Sequence, residues 1–139
     1  MVQDGFQAIN QRLIESDVIA VAEPLFFWNV PAELKALIDR AQSQWSRKFL
    51  VKEPLPPPPA GHRKRRGVFF CVGADPRGYF QGAMWTVRSF FRVYEAAYWR
   101  ELFCSEIEAR GAIREHATAM DQAADLGHRA VDQDWVEKR

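Results

Sequence analysis

The residues best suited to binding a ligand lie in one aromatic stretch, Leu25–Val30. Phe26, Phe27 and Trp28 stand side by side in it, shortly after an apolar run that Pro24 ends. In open α/β sheets, ligands bind outside the carboxyl ends of the strands. If the apolar run is a strand, this stretch occupies that position. We therefore predict the binding site there.

The titratable side chains do not form a recognisable catalytic or metal-binding group. His62, His116 and His128 are far apart in sequence, and we expect surface or helix-end roles for them. Cys71 and Cys104 form no CxxC pattern and no cluster with the histidines. They predict inert, buried thiols in a reducing compartment, and hence a cytoplasmic protein without a metal site. No catalytic dyad is apparent.

A basic run, His62–Arg66, follows the proline-rich segment KEPLPPPP, so residues 51–66 are expected to form a proline-rich and basic loop. One interpretation of the run is a solvated loop that leads into the next strand. The other is a phosphate contact, either to a nicotinamide dinucleotide or to another anion. No aromatic residues are interleaved with these charges, so the run does not indicate nucleic-acid binding.

Length and composition exclude several classes of protein. The 139 residues suit one domain, 1–139, and a hydrophobic content of 47% is typical of globular proteins. A net charge of +1 gives no general attraction to nucleic acid or to a membrane surface. No apolar run approaches the roughly 20 residues of a membrane-spanning helix. The amino terminus shows no signal-peptide pattern.

Helical and strand patterns alternate along the chain. This alternation predicts an α/β fold in which a parallel sheet of three strands carries four helices on its two faces. One face of the third helix is strongly aromatic, which suits a core or a contact between subunits. The predicted elements are a helix at Asp4–Glu15, a strand at Val18–Ala22 covered on both faces, a helix from Pro31 to about Ser46, a strand at Gly67–Gly73, a helix at Phe80–Tyr98, a strand at Leu102–Cys104 and a helix at Glu115–Asp132.

The order of these motifs resembles the flavodoxin-like NAD(P)H-dependent FMN reductases, a family that includes quinone reductases and part of the iron–sulfur flavoproteins. The block PLFFWNVPAELKALIDR, at Pro24–Arg40, is similar to the family's SPxYFxNVxAxLKAxIDR. GVFFCVGADPRG resembles the family's fourth strand and its glycine-containing loop. RSFF resembles the following helix, and ARGAIREHATAMDQAADLGHRAV resembles the last helix with its approach.

The resemblance implies a flavodoxin-like fold and an oxidoreductase that passes electrons from NAD(P)H through FMN to a quinone, a flavin or another small acceptor. It also implies that two loops contact the flavin, through ring packing and backbone hydrogen bonds. The implied cofactor-binding residues are Pro24, Leu25, Phe26, Phe27, Trp28 and Asn29 in the first loop and Gly73, Ala74, Gly78 and Tyr79 in the second.

The chain departs from the family at its start. The family's first two strands, its phosphate-binding loop and its first helix have no counterpart in the sequence, which predicts weak or absent FMN binding by this chain alone. The strand Val18–Ala22 would have an open edge, so we expect a homo-oligomer or a partner that covers it. An alternative is a non-catalytic relative that acts as a subunit or interaction module, with Phe26–Trp28 as its contact surface. A third explanation is that the natural protein is longer.

Overall fold

A computed structural model of the chain describes residues 5–61 and 64–132. Its centre is a sheet of three parallel strands, in the order β1-β2-β3. Pro24 pairs with Val72, so β1 and β2 end at the same edge of the sheet. The predicted three-stranded parallel sheet is confirmed. The strands are β1 (Val18–Pro24), β2 (Arg65–Val72) and β3 (Ala96–Cys104).

Helices cover both faces of the sheet, as predicted. Residues of α1, α2 and α4 form the larger core with Ile19, Val21 and Phe69, whereas α5 packs on the opposite face against β2 and β3. The helix predicted from Pro31 is interrupted at Ala41 and continues as a π-helical segment. The helices are α1 (Phe6–Ile14), α2 (Ala32–Arg40), α3 (Gln42–Ser46), the π segment Arg47–Val51, α4 (Gln81–Val93), a 3-10 turn at Ala112–Glu115 and α5 (Ala119–Val131).

Strand β1 differs from its prediction, because only one of its faces is covered. Ile19 and Val21 are buried, whereas Ala20 and Ala22 on the other face are exposed. The reason is that α5 lies over β2 and β3. The outer edge of β1 pairs with no strand in the described part of the chain. The strand therefore presents an open edge beside an uncovered face.

The boundary between α4 and β3 also differs from its prediction. Helix α4 ends at Val93, and Glu95 adopts a positive φ of 56°, which reverses the chain. Tyr98, predicted on the helix, belongs to β3 and pairs with Gly67. Its spacing from Tyr94 fits a helix, but aromatic residues also favour strands, and pairing with β2 decides the outcome. The last helix likewise begins later than predicted, after the 3-10 turn.

Arg65 contradicts the prediction of a solvated basic loop. It starts β2 and is only 1% exposed. Its guanidinium donates hydrogen bonds to the carbonyl oxygens of Ile14, Tyr94 (3.3 Å) and Pro56 (2.9 Å). Ile14 ends α1 and Tyr94 follows α4, so Arg65 satisfies two helix ends that would otherwise lack donors.

Arg66 has the same role on the other face of the sheet. It is also 1% exposed, and it donates to three carbonyl oxygens at the carboxyl end of α5. These are the carbonyls of Arg129 (2.9 Å), Ala130 (2.6 Å) and Asp132 (2.9 Å). Both arginines are thus structural, and neither interpretation of the basic run holds for them. His62 and Arg63 lie outside the described residues, and Lys52 to Gly61 has no regular secondary structure.

The two cysteines are free and buried, as predicted. Burial, and then the nearby Glu23, raise the pKa of Cys71 to about 12, so its thiol stays protonated and unreactive near neutral pH. Among the described residues, no group of three or more metal-binding side chains comes together. Nor does any described helix have the length and apolar character needed to cross a membrane.

Candidate functional site

The aromatic stretch forms a tight two-residue turn immediately after β1. The amide of Phe26 donates to the carbonyl oxygen of Asn29, and the amide of Asn29 donates back, both at 2.9 Å. Phe27 and Trp28, between them, have positive φ angles of 46° and 62°. Two central residues with positive φ characterise a type I′ turn, which normally carries asparagine or glycine. Bulky aromatic residues there are strained, and such strain is concentrated at functional sites.

The turn exposes its aromatic side chains rather than burying them. Phe27, at the tip, is fully exposed, and Phe26 and Trp28 are 57% and 61% exposed. Three exposed aromatic side chains in succession are typical of a binding surface. The conformation therefore costs free energy without any gain in core packing.

The second predicted loop, Gly73–Tyr79, lies against the first. The rings of Trp28 and Tyr79 are tilted by 55° with their centroids 5.2 Å apart. The amide of Leu25 donates to the carbonyl of Val72 at 2.7 Å, and a side chain at Gly73 would approach Leu25 to 3.3 Å. The structure thus brings all ten predicted residues to the carboxyl ends of β1 and β2, with Pro24 as the last residue of β1 and the other nine on two adjoining loops. The ten residues are Pro24, Leu25, Phe26, Phe27, Trp28, Asn29, Gly73, Ala74, Gly78 and Tyr79.

The beginning of α4 holds the turn in place through two residues that the sequence analysis missed. Gly82 packs so closely that a Cβ atom there would lie 2.4 Å from the carbonyl oxygen of Trp28. The hydroxyl of Thr86 donates to Oδ1 of Asn29 at 2.9 Å, and the amide of Val30 donates to the same oxygen at 2.8 Å. A glycine inside an otherwise helical pattern was the available signal, since it suggests close packing.

Arg77 is the basic residue of the second loop, and its charge is paired within that loop. Its Nη2 lies 3.0 Å from Oδ2 of Asp75, and its guanidinium stands 4.8 Å from the centroid of the Tyr79 ring. The hydrogen bonds from Arg77 hold the pKa of Asp75 below its ordinary value. At the edge of the site, burial and then the charge of Glu33 raise the pKa of Glu23.

The strain in the turn predicts the effect of Phe27→Asn. Asparagine tolerates a positive φ, and the exposed Phe27 ring contributes little packing, so the free energy of unfolding should rise by about 0.5–1 kcal/mol. Urea denaturation measures this change. Leu50→Asn is the control, because Leu50 is 68% exposed and does not have a positive φ. A loss of stability in Phe27→Asn equal to that in the control would contradict the argument.

The chain is similar in sequence to a curated flavoprotein. An iron–sulfur flavoprotein of Methanocaldococcus jannaschii is 30% identical over 93 residues, which cover 67% of this chain and 42% of that protein. The chain thus spans less than half the length of that relative.

Solved structures with similar folds include three flavodoxin-like proteins. The Trp repressor binding protein from Bacillus subtilis superposes with a TM-score of 0.66 at 20% identity, over 90% of this chain and 71% of that chain. An NADPH-quinone reductase from P. pentosaceus gives 0.57 at 14%, over 98% and 79%. A flavone reductase gives 0.50 at 12%, over 94% and 46%. These likenesses show the flavodoxin-like fold.

The family follows from the sequence match. A family model described as NADPH-dependent FMN reductase matches residues 1–101, which include α1, β1, the aromatic turn, β2, the second loop and α4. The matched region thus contains both loops of the candidate site. The chain belongs to the NADPH-dependent FMN reductase family.

Proposed function

We propose that the turn Phe26–Asn29 and the loop Gly73–Tyr79 bind the isoalloxazine ring of FMN. We further propose that the protein acts in the cytoplasm as an oxidoreductase, from NAD(P)H to a quinone, a flavin or another small acceptor. The observation that carries the proposal is the strained, exposed aromatic turn, held against a second loop at the carboxyl ends of parallel strands. Family membership supports the choice of FMN.

The residues of the two loops fit the ring of the cofactor. Trp28 and Tyr79 offer aromatic surfaces, and the backbone amides of Phe27 and Trp28 donate to no other described residue. A flavin ring needs both kinds of contact, because its benzenoid part is apolar and its pyrimidine part carries hydrogen-bonding groups. FMN, when bound, supplies the hydride and electron-transfer chemistry. The turn positions the ring, and its amides tune the electronics of the polar edge.

The phosphate of FMN has no comparable partner in these two loops. Arg77, their cation, is paired with Asp75. The amino end of α4 could contact an anion, but Trp28 packs over Gly82 there. We therefore propose that binding by this chain alone is weak and depends mainly on the ring. Riboflavin, which lacks the phosphate, should then bind within about threefold of FMN.

Trp28→Ala tests the placement of the ring. Loss of one aromatic wall should weaken riboflavin binding about tenfold, which corresponds to about 1.4 kcal/mol. Quenching of riboflavin fluorescence on titration with protein measures the dissociation constant. Trp85→Ala is a matched control, because Trp85 is 60% exposed against 61% for Trp28 but lies outside the two loops. Equal affinities for the two variants would rule out this placement.

A second candidate function is a non-catalytic subunit, and the open edge of β1 favours it. The unpaired outer edge of β1 and its exposed face at Ala20 and Ala22 would suit another polypeptide. On this hypothesis Phe27 and its aromatic neighbours contact a protein rather than a flavin. The two candidate functions are compatible if the polypeptide that pairs with the β1 edge also completes the flavin site. Flavin binding by this chain alone would then be weak.

Whether the protein is a flavin oxidoreductase or a non-catalytic subunit, we propose that it associates through the β1 edge. The association is either with a second copy of the chain or with a partner. Sedimentation velocity of the purified chain should show species larger than a monomer at micromolar concentration. Ile19 and Val21 point into the core, so Ala20→Pro is a variant that removes one edge amide while leaving the core residues unchanged. It should shift the population towards monomer. A monomer at all concentrations would argue against self-association.

A further inference from the structure

A groove outside the flavin loops runs along α4 and the beginning of β3. Its volume is about 680 Å³. Trp85, Arg88 and Arg92 recur at three- and four-residue steps and therefore share one side of α4. Gly82 and Thr86, which hold the aromatic turn, lie on the neighbouring side of the helix. Volumes of this size are typical of sites for small ligands.

The groove is strongly cationic. Four of the residues that line it are basic, Lys48, Lys64, Arg88 and Arg92, and one is acidic, Glu95. The Glu95 carboxylate forms an ion pair with Lys48, and its Oε1 lies 3.3 Å from the Lys48 Nζ. Like charges one turn apart on a helix are unfavourable. Arg88 and Arg92, one turn apart on α4, would therefore attract an anion to this groove.

Arg88 is held in place by aromatic rings rather than by a carboxylate. Its guanidinium carbon stands 4.8 Å from the centroid of the Tyr98 ring and 5.6 Å from that of Trp85. Among the described residues it forms no ion pair and donates no hydrogen bond. A guanidinium fixed by stacking with its donors unused is preorganised for a phosphate or carboxylate.

Arg92 and Lys48 form a second cationic group farther along the groove. Their charged ends stand 5.7 Å and 5.2 Å from the centroid of the same ring, that of Phe49. The seven residue steps from Trp85 to Arg92 correspond to about 10 Å along the helix. A nucleoside diphosphate spans a similar distance from its base to its terminal phosphate.

We propose that this groove binds a nucleoside diphosphate. The base stacks on the exposed ring of Trp85, and the phosphates contact Arg88 and Arg92. Stacking explains an exposed tryptophan beside the cations, and the phosphates supply the missing negative charge. The site is distinct from the flavin loops and does not rest on the proposed function.

Isothermal titration of the full chain with ADP at low salt tests the proposal. Arg88→Gln should weaken ADP binding at least tenfold, and Trp85→Ala should weaken it about fivefold. Arg110→Gln and Trp28→Ala should leave it unchanged, because Arg110 is exposed outside the groove and Trp28 belongs to the flavin loops. Circular dichroism of each variant checks that it is folded. Arg92→Gln is a second test of the contact between the phosphates and the arginines of the groove.

Two probes separate a nucleotide site from a general anion patch. Pyrophosphate and adenosine should each bind at least tenfold more weakly than ADP, because each supplies only one part of the interaction. Equal binding of ADP and pyrophosphate, ADP binding insensitive to Arg88→Gln, or tighter binding of a poly-glutamate peptide would overturn the proposal, as would no binding of ADP at millimolar concentration. Weaker riboflavin binding in Trp28→Ala, with ADP binding retained, would support two separate sites.

Discussion

Arg65→Met should lower the free energy of unfolding by about 3–5 kcal/mol, because it leaves carbonyl groups at buried helix ends without donors. Arg65 donates to Ile14 at the end of α1, to Tyr94 after α4 and to Pro56 in the proline-rich segment. Three separate parts of the chain therefore converge on one guanidinium at the beginning of β2. Methionine fills similar volume but donates no hydrogen bond.

Urea unfolding, followed by circular dichroism, measures this loss. Arg110→Met is the matched control, since Arg110 is exposed, and it should change stability by less than about 0.5 kcal/mol. Arg65→Lys should lie between the two, because an ammonium keeps the charge but cannot reach all three carbonyls as a planar fork does. A loss below about 1 kcal/mol in Arg65→Met would mean that water replaces the guanidinium donors without penalty.

Gly82→Ala should lower the free energy of unfolding by about 1–3 kcal/mol, although alanine is the better helix former. The new Cβ atom would lie 2.4 Å from the carbonyl oxygen of Trp28, and backbone must move to admit it. The movement displaces the aromatic turn. We therefore also expect a lower affinity for riboflavin, and the two losses should occur together.

Gly127→Ala in α5 gives the opposite expectation and serves as the control. No heavy atom lies within 4 Å of a Cβ atom built at Gly127. Helix propensity alone then applies, and the free energy of unfolding should rise by about 0.5–1 kcal/mol. Thermal or urea unfolding of both variants, with riboflavin titrations, provides the comparison. If Gly82→Ala were as stabilising as Gly127→Ala, α4 would not support the turn as described.

Strands β1 and β2 could be predicted because each contains a short apolar run, which Pro24 ends in β1 and Gly73 follows in β2. The beginning of β3 could not, because Tyr98 continues the helical spacing of the aromatic residues in α4, and only pairing with β2 places it in a strand. The prediction that β1 is covered on both faces was also wrong. An apolar run indicates burial in general, but Ala20 and Ala22 are exposed, because α5 lies over β2 and β3.

The location of the candidate site followed from residue types, but its conformation did not. Local rules for a type I′ turn favour asparagine and glycine, so nothing in the sequence indicates positive φ at Phe27 and Trp28. Thr86 is separated from Asn29 by 57 residues, and that contact depends on the packing of α4. Arg65 and Arg66 were mispredicted for the same reason, since charge suggests exposure and their carbonyl partners are distant in sequence.

In the proposed function, the aromatic turn and the second loop pack against the flavin ring. Amide resonances in ¹H–¹⁵N spectra, recorded during titration with riboflavin, test it residue by residue. We predict the largest shifts at Phe27, Trp28, Ala74 and Tyr79, with little change at Arg88. Shifts confined to other surfaces, or none up to millimolar riboflavin, would contradict the account.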